Sequence, residues 1–195
     1  TLKPTDNQIL GEILPALNRT LESTSQRDIT SSCMMAMAKI GRDTEEVKIL
    51  PIFRDRLTRG DQEVRETAAL AIGLSAKTDA IDDLVALAKD SAKGRSLCDR
   101  KEVDDRTRSF AAYGLGLVSY ATSDNAVKAQ ALDALSSILE DDSISDRNVR
   151  VAAITAIGLL RPEMSANAEG ADGKDGRALF LAAMDALDKY WQKNL

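Results

Sequence analysis

The sequence predicts an all-α protein: an α-α superhelix, or solenoid, of about four stacked helical hairpins followed by a C-terminal helix. Three observations predict it. A segment recurs in phase, Val64-Arg65-Glu66-Thr67-Ala68-Ala69-Leu70-Ala71-Ile72-Gly73-Leu74 matching Val149-Arg150-Val151-Ala152-Ala153-Ile154-Thr155-Ala156-Ile157-Gly158-Leu159 without a gap. The segment from Thr107 to Leu117 fits the same frame, and a weaker copy runs from Ser32 to Gly41. Between these segments, apolar residues recur every three or four positions, the period of a helix, and never alternate as in a strand.

Each unit reads as two helices. The first is heavily aliphatic: Ile9, Leu10, Ile13, Leu14, Leu17 and Leu21 in unit one, then Val47, Ile49, Leu50, Ile52, Phe53 and Leu57 in unit two. Ile81, Leu84, Val85 and Leu87 continue the pattern, as do Val127, Leu132, Leu135, Ile138 and Leu139. Pro15 and Pro51 fall inside such patterns and should bend their helices, since proline removes a backbone donor. The second helix opens behind Asp61, Asp104 or Asp146, each a suitable N-cap acceptor. Small residues such as Ala68, Ala71 and Gly73 then let neighbouring helices approach closely. The map is helices near 6–23, 28–41, 44–59, 62–76, 79–91, 104–121, 125–140, 146–161 and 176–193. The units are about 6–41, 44–76, 79–121 and 125–161 within a single domain of residues 1–195. Residues 92–103 read as an irregular turn and 162–175 as a breaker-rich loop. The last helix, with Ala178, Leu179, Ala182, Ala183, Ala186 and Leu187 apolar, either caps the stack or begins a fifth unit.

At Pro51, Asp61, Val64, Arg65 and Gly73 the sequence resembles the HEAT-repeat family, over roughly residues 7–161. The resemblance implies a right-handed superhelix of antiparallel helix pairs, with a proline bending the first helix and an Asp-x-x-Val-Arg phrase opening the second. It further implies an Asp–Arg ladder through the stack, carried by Asp61 and Arg65, Asp104 and Arg108, and Asp146 and Arg150. Unit one departs, with Ile29 and Cys33 at those places, so the ladder should stop before it. Units three and four lack the proline of the first helix.

Composition narrows the function. The 195 residues contain no histidine, and 26 Lys+Arg against 31 Asp+Glu leave a net charge of −5. Without histidine there is no Ser-His-Asp or Cys-His catalysis and no His-ligated zinc or haem. The acidic balance argues against a nucleic-acid partner, and no apolar run reaches the ~20 residues of a membrane span. The chain begins at Thr1 with no signal-like run, and the expectation is a processed form or, preferred here, a piece of a longer protein. Neither compartment nor oligomeric state is legible. Of the two cysteines, Cys33 reads as a small core residue and Cys98, in a polar stretch, as exposed. A bridge between them is disfavoured by the geometry that bridging demands.

No catalytic or metal-ligating residue and no cofactor are expected. The adjacent pairs Asp82-Asp83, Asp104-Asp105 and Asp141-Asp142 diverge too much for acid–base work and read as solvated helix termini. Gly114-Leu115-Gly116 lacks the strand and Gly-Lys-Ser/Thr of a phosphate loop, leaving close helix packing as its reason. Lys93, Arg95, Arg100, Lys101, Arg106 and Arg108 form a basic cluster that reads as a solvated turn or, alternatively, an anion site. Asp172 and Asp175 around Gly173 lack the spacing of a calcium loop.

What remains is a surface. In a HEAT-like stack the second helices line the concave side. With Val64, Ala68, Ala71 and Ile72 facing inward, the groove residues become Glu63, Glu66 and Leu70, then Arg106, Ser109 and Tyr113, then Asn148, Val151 and Thr155. Leu70, Tyr113 and Val151 are equally suited to packing against neighbours. This mixture fits recognition of a protein or peptide. The expectation is a non-enzymatic scaffold or protein-binding module. The alternatives are a structural arm of a larger enzyme or multidomain protein, or a HEAT-like nucleic-acid-acting enzyme, for which the sole tryptophan, Trp191, offers little support.

Overall fold

The computed structural model describes residues 3–59, 61–162 and 176–195, and among them the fold is all-helical with no strand. The expected loop over 162–175, including Asp172, Gly173 and Asp175, lies outside the described residues except for Pro162.

The chain enters through a short helix α1 (Asp6–Gln8), a π turn (Ile9–Ile13) and α2 (Leu14–Ser23). Thr5 and Gln8 form a reciprocal capping box at this start. The wide turn is closed by the Leu14 N–H on the Ile9 carbonyl. It sits immediately before Pro15, whose ring would clash with the Gly11 carbonyl in an ordinary α turn. α3 (Arg27–Ile40) follows, then α4 (Ile49–Thr58), which starts five residues later than expected. Thr44 and Val47 close a turn on each other, and Asp43 Oδ1 accepts the Ile49 N–H at 3.1 Å. Pro51 therefore stands in the first turn, where backbone donors have no intrahelical partner, and it breaks nothing.

α5 (Gln62–Leu74) is capped by Asp61, whose carboxylate accepts the Val64 N–H at 3.0 Å. A 3-10 turn (Thr78–Ala80) leads into α6 (Ile81–Ala88). The stretch expected to be irregular holds a further helix, α7 (Ala92–Cys98), capped by Ser91 and ended by Asp99 in the left-handed region. Its glycine misleads as a breaker. A Cβ on Gly94 would stand 2.1 Å from the Ala86 carbonyl oxygen, so the residue marks the point where α7 lies against α6. That docking buries Cys98, contrary to the exposed position expected for it, and burial pushes its thiol up to about 11. Both cysteines are free. Asp83 also departs from the solvated reading. It is buried and takes Arg54 of α4 at 2.6 Å on Oδ2 and Lys93 of α7 at 2.8 Å on Oδ1.

The chain continues through α8 (Asp105–Ala121), α9 (Asn125–Glu140), α10 (Arg147–Leu159) and α11 (Gly176–Lys193). Helix α3 packs on α5, α5 on α8 and α8 on α10, while α2 packs on α3, α4 on α5, α6 on α8 and α9 on α10. One apolar core runs through these contacts, with Leu14, Phe53, Leu57, Ile72, Leu84, Leu87 and Leu115 fully buried.

The helix–helix contacts repeat in register. A Cβ on Gly73 would meet the Gly114 Cα at 2.3 Å, and one on Gly116 would meet the Ala156 Cα at 2.7 Å. Gly73 and Gly116 hold the same place in the repeated segment, as do Gly114 and Ala156, so α5–α8 and α8–α10 are the same contact made twice. Gly158, the third member of the series, has nothing within 4 Å among the described residues. Helix α11 packs on α9, burying Leu179 and Ala183 but leaving Phe180, Leu181, Met184 and Trp191 exposed.

Three outcomes follow from this packing. Gly73→Ala should lower the stability measured by urea unfolding by about 1–3 kcal/mol, because backbone cannot move aside as a side chain can. Gly158→Ala, at the equivalent place, should raise it by up to about 1 kcal/mol through helix propensity alone. Gly94→Ala should displace α7 and make Cys98 react with a thiol reagent at pH 8 faster than in the parent chain, where both thiols react only slowly until the protein is unfolded.

Candidate functional site

A groove with a cavity of about 450 Å³ crosses three helices, lined by Asp28, Ser31, Ser32 and Met35 of α3, Glu63, Glu66, Thr67 and Leu70 of α5, and Arg106 and Phe110 of α8. Its construction is regular. On α3 the lining residues stand at i, i+3, i+4 and i+7, on α5 they do the same, and on α8 Arg106 and Phe110 are one turn apart. Each helix thus presents one stripe to the cavity.

Met35, Leu70 and Phe110 supply an apolar floor, and Thr67 donates its hydroxyl to Ser31 Oγ at 3.3 Å across the α3–α5 seam. At the rim, Arg27 Nε lies 2.5 Å from Glu63 Oε2 and 3.3 Å from Asp28 Oδ1. The one cation in the lining is Arg106, 60% exposed, whose Nη2 lies 2.9 Å from Glu66 Oε2. Glu66 itself is only 3% exposed, and its other oxygen, Oε1, is buried without a hydrogen-bond partner. Burial pushes the Glu66 carboxyl above the usual carboxylate range, opposed by Arg106 and Gln62 and aided by the charges of Glu63 and Asp104.

The groove gathers four of the expected residues, Glu63, Glu66, Leu70 and Arg106. Ser109 and Tyr113 are half-buried outside its lining, and Ser109 spends its hydroxyl on the Asp105 carbonyl at 2.8 Å. Asn148, Val151 and Thr155 lie exposed on α10, away from the cavity, with Thr155 Oγ1 donating to the Val151 carbonyl at 2.9 Å. Asp28, Ser31, Ser32, Met35, Thr67 and Phe110 were not foreseen. The usable signal was the i, i+3, i+4, i+7 stripe that α3 shares with α5, at an offset of 35 positions. Aligning the weak first copy on Gly41 gives an offset of 32 and hides it.

The residues of the inferred ladder take varied partners. Arg65 Nη2 reaches Asp104 Oδ2 at 3.0 Å, joining α5 to the start of α8, and Asp104 makes no side-chain cap to its own helix. Arg108 turns instead to the Ala88 carbonyl and to Asp105, both at 3.2 Å, and Arg150 to the Asp141 carbonyl at 3.2 Å. Asp61 and Asp146 cap their own helices. The basic cluster is largely engaged within the fold: Lys93 on Asp83, Arg95 on Asp90 at 2.7 Å, Arg106 on Glu66 and Arg108 as above. Among the described residues, no cluster of three metal-ligating side chains occurs, and no helix is long and apolar enough to cross a membrane.

The Glu66 environment sets a pH dependence. Its pKa is raised on folding, so the native state binds more protons between the unfolded and folded values, and stability falls as pH rises through that window. Glu66→Gln should therefore raise the melting temperature at pH 7. The difference should close as pH drops below the ordinary carboxylate range, where both states of the parent carry the proton. A lower melting temperature for the variant at pH 7 would show that the Arg106 pair outweighs burial. No protein-family model matches the chain, and no curated protein is similar enough in sequence to count as a relative.

Proposed function

We propose that the helices stack as a solenoid of HEAT-like hairpins in one domain, and that the chain is a non-enzymatic protein-binding module. The observation that carries this reading is the groove of about 450 Å³ built from matching stripes on α3, α5 and α8. Its size lies within the range of pockets that hold a ligand group, about 300–1,000 Å³. Its lining combines an apolar floor with hydroxyls and charges, a composition suited to side chains of a partner segment. The repeated α5–α8 and α8–α10 contacts support rigid presentation, since each helix fixes the next at backbone distance.

One observation favours a second reading, a structural arm of a larger protein. Among the described residues, Gly158 of α10 meets nothing within 4 Å, Val151 is 49% exposed and Trp191 of α11 is 63% exposed. On α5 and α8 the glycines in register with Gly158 carry the next helix.

The two readings predict different sensitivities. Ser32→Trp adds bulk at an exposed place in the groove wall and should reduce retention of a native partner in affinity capture at least tenfold, with the melting temperature unchanged. If capture persists in Ser32→Trp but is abolished by Val151→Glu with Leu181→Glu, the open end is the working surface and the groove is not.

A further inference from the structure

One arrangement recurs along this chain: a helix seated on two others. Helix α5 packs on α3 and α4, α8 on α5 and α6, and α10 on α8 and α9. In the last two cases the earlier stacking helix offers a glycine at the crossing point, Gly73 to Gly114 and Gly116 to Ala156. The other wall is an aliphatic helix, α6 or α9. Helix α11 packs on α9 as α9 packs on α6, so α10 and α11 continue both series. On α10, Gly158 is exposed and a Cβ on it would meet nothing within 4 Å among the described residues. Val151, 49% exposed, holds the place from which Glu66 of α5 meets Arg106 of the helix seated next. On α11, Leu179 and Ala183 are buried, while Phe180, Met184 and Trp191 form a second apolar stripe that is 47%, 51% and 63% exposed. Helix α9, which carries α10, buries Leu132, Leu135, Ile138 and Leu139 together.

We propose that α10 and α11 form a docking seat for one amphipathic helix of a partner protein, crossing α10 over Gly158 and laying an apolar stripe on Phe180, Met184 and Trp191. This assignment rests on the reading in which the open end is a working surface, and it is independent of the groove. Continuity with the two filled seats specifies the guest. The exposed stripe has the spacing of a helix face, which meshes with the ridges of another helix and not with the two-residue period of a strand. Half-buried Ile154 stands where buried Ala69 and Ala112 stand on α5 and α8, so the guest lies farther out over Gly158 than α8 lies over Gly73. That spacing suits alanine at its crossing point, as Ala156 serves opposite Gly116. Val151 in the place of Glu66 calls for an apolar residue where α8 presents Arg106. The net charge of −5, with Asp188 exposed beside the stripe, opposes an anionic lipid surface as the occupant.

The test is a selection from a displayed library of 18-residue peptides patterned as amphipathic helices, made on the full chain and counter-selected on Gly158→Leu. That variant fills open space and should melt no lower than the parent. Recovered peptides should carry alanine within an apolar stripe. Their affinity by fluorescence anisotropy should fall at least tenfold on Gly158→Leu and on Met184→Glu, and change less than threefold on Ser32→Trp. Peptides sensitive to Gly158→Leu but not to Met184→Glu would overturn the two-walled seat. Peptides lost only on Ser32→Trp, or none sensitive to Gly158→Leu, would overturn the helix guest; the open-end reading would still stand if Val151→Glu with Leu181→Glu abolished capture of a native partner. Two further results would also overturn it, by naming another occupant: dimerisation in sedimentation velocity that Met184→Glu abolishes, or binding to phosphatidylserine-containing vesicles that Met184→Glu abolishes.

Discussion

Backbone contact between helices is the constraint on which the rest of the structure depends. At Gly73 against Gly114, and at Gly116 against Ala156, the helices approach until neither Gly73 nor Gly116 has room for a Cβ. Such a distance fixes where each helix crosses its neighbour, since ridges of side chains cannot slide past a point of backbone contact without opening a void. The apolar stripes on either side then have a single register in which to interdigitate, and Ile72, Leu84 and Leu115 become fully buried. The groove stripes are a consequence as well. With α5 and α8 locked at this contact, Glu63 and Glu66 are brought beside Arg106, one face away from the core.

Electrostatics adds specificity to that packing. Asp83 draws α4, α6 and α7 together through two cations, and Arg65 ties α5 to the start of α8 through Asp104. A buried carboxylate is a liability when half-satisfied and an anchor when both its oxygens are met. Asp83 belongs to the second kind, whereas Glu66 combines deep burial with a raised pKa, its Oε1 enclosed within the fold. Exposed pairs such as Lys189 with Asp185 at 2.7 Å carry little comparable weight.

The ends of the helical array are unequal. At α3 the stacking face meets α5, and α2 packs on α3 as the end of a continuous helical run from Asp6, widened at Ile9–Ile13 by the π turn that spares Pro15 a clash. At α10 the register that produced the two backbone contacts continues to Gly158, which meets nothing within 4 Å among the described residues. Helix α11 packs on α9 and leaves Phe180, Leu181 and Met184 exposed. This asymmetry makes the open end the natural rival to the groove as a surface for association.

Periodicity and capping made the helices legible in the sequence, because both are local: an apolar residue every three or four positions buries one face, and an Asp before Val64 or Val149 meets orphan donors within one turn. The same locality explains the early misreadings. Gly94 and the polar residues around it look like a turn until α6 is set beside them, when the missing side chain proves to be what admits α7 and hides Cys98. Pro51 reads as a kink only while the cap at Asp43, six residues before Ile49, goes unnoticed. The pairing of Arg65 with Asp104, and that of Glu66 with Arg106, join residues about 40 positions apart. The sequence by itself determined helical segments, their repeat and the small residues between them. Which carboxylate is buried, and which cation meets it, was decided only when the helices came within reach of one another, since desolvation is a property of everything that surrounds a charge.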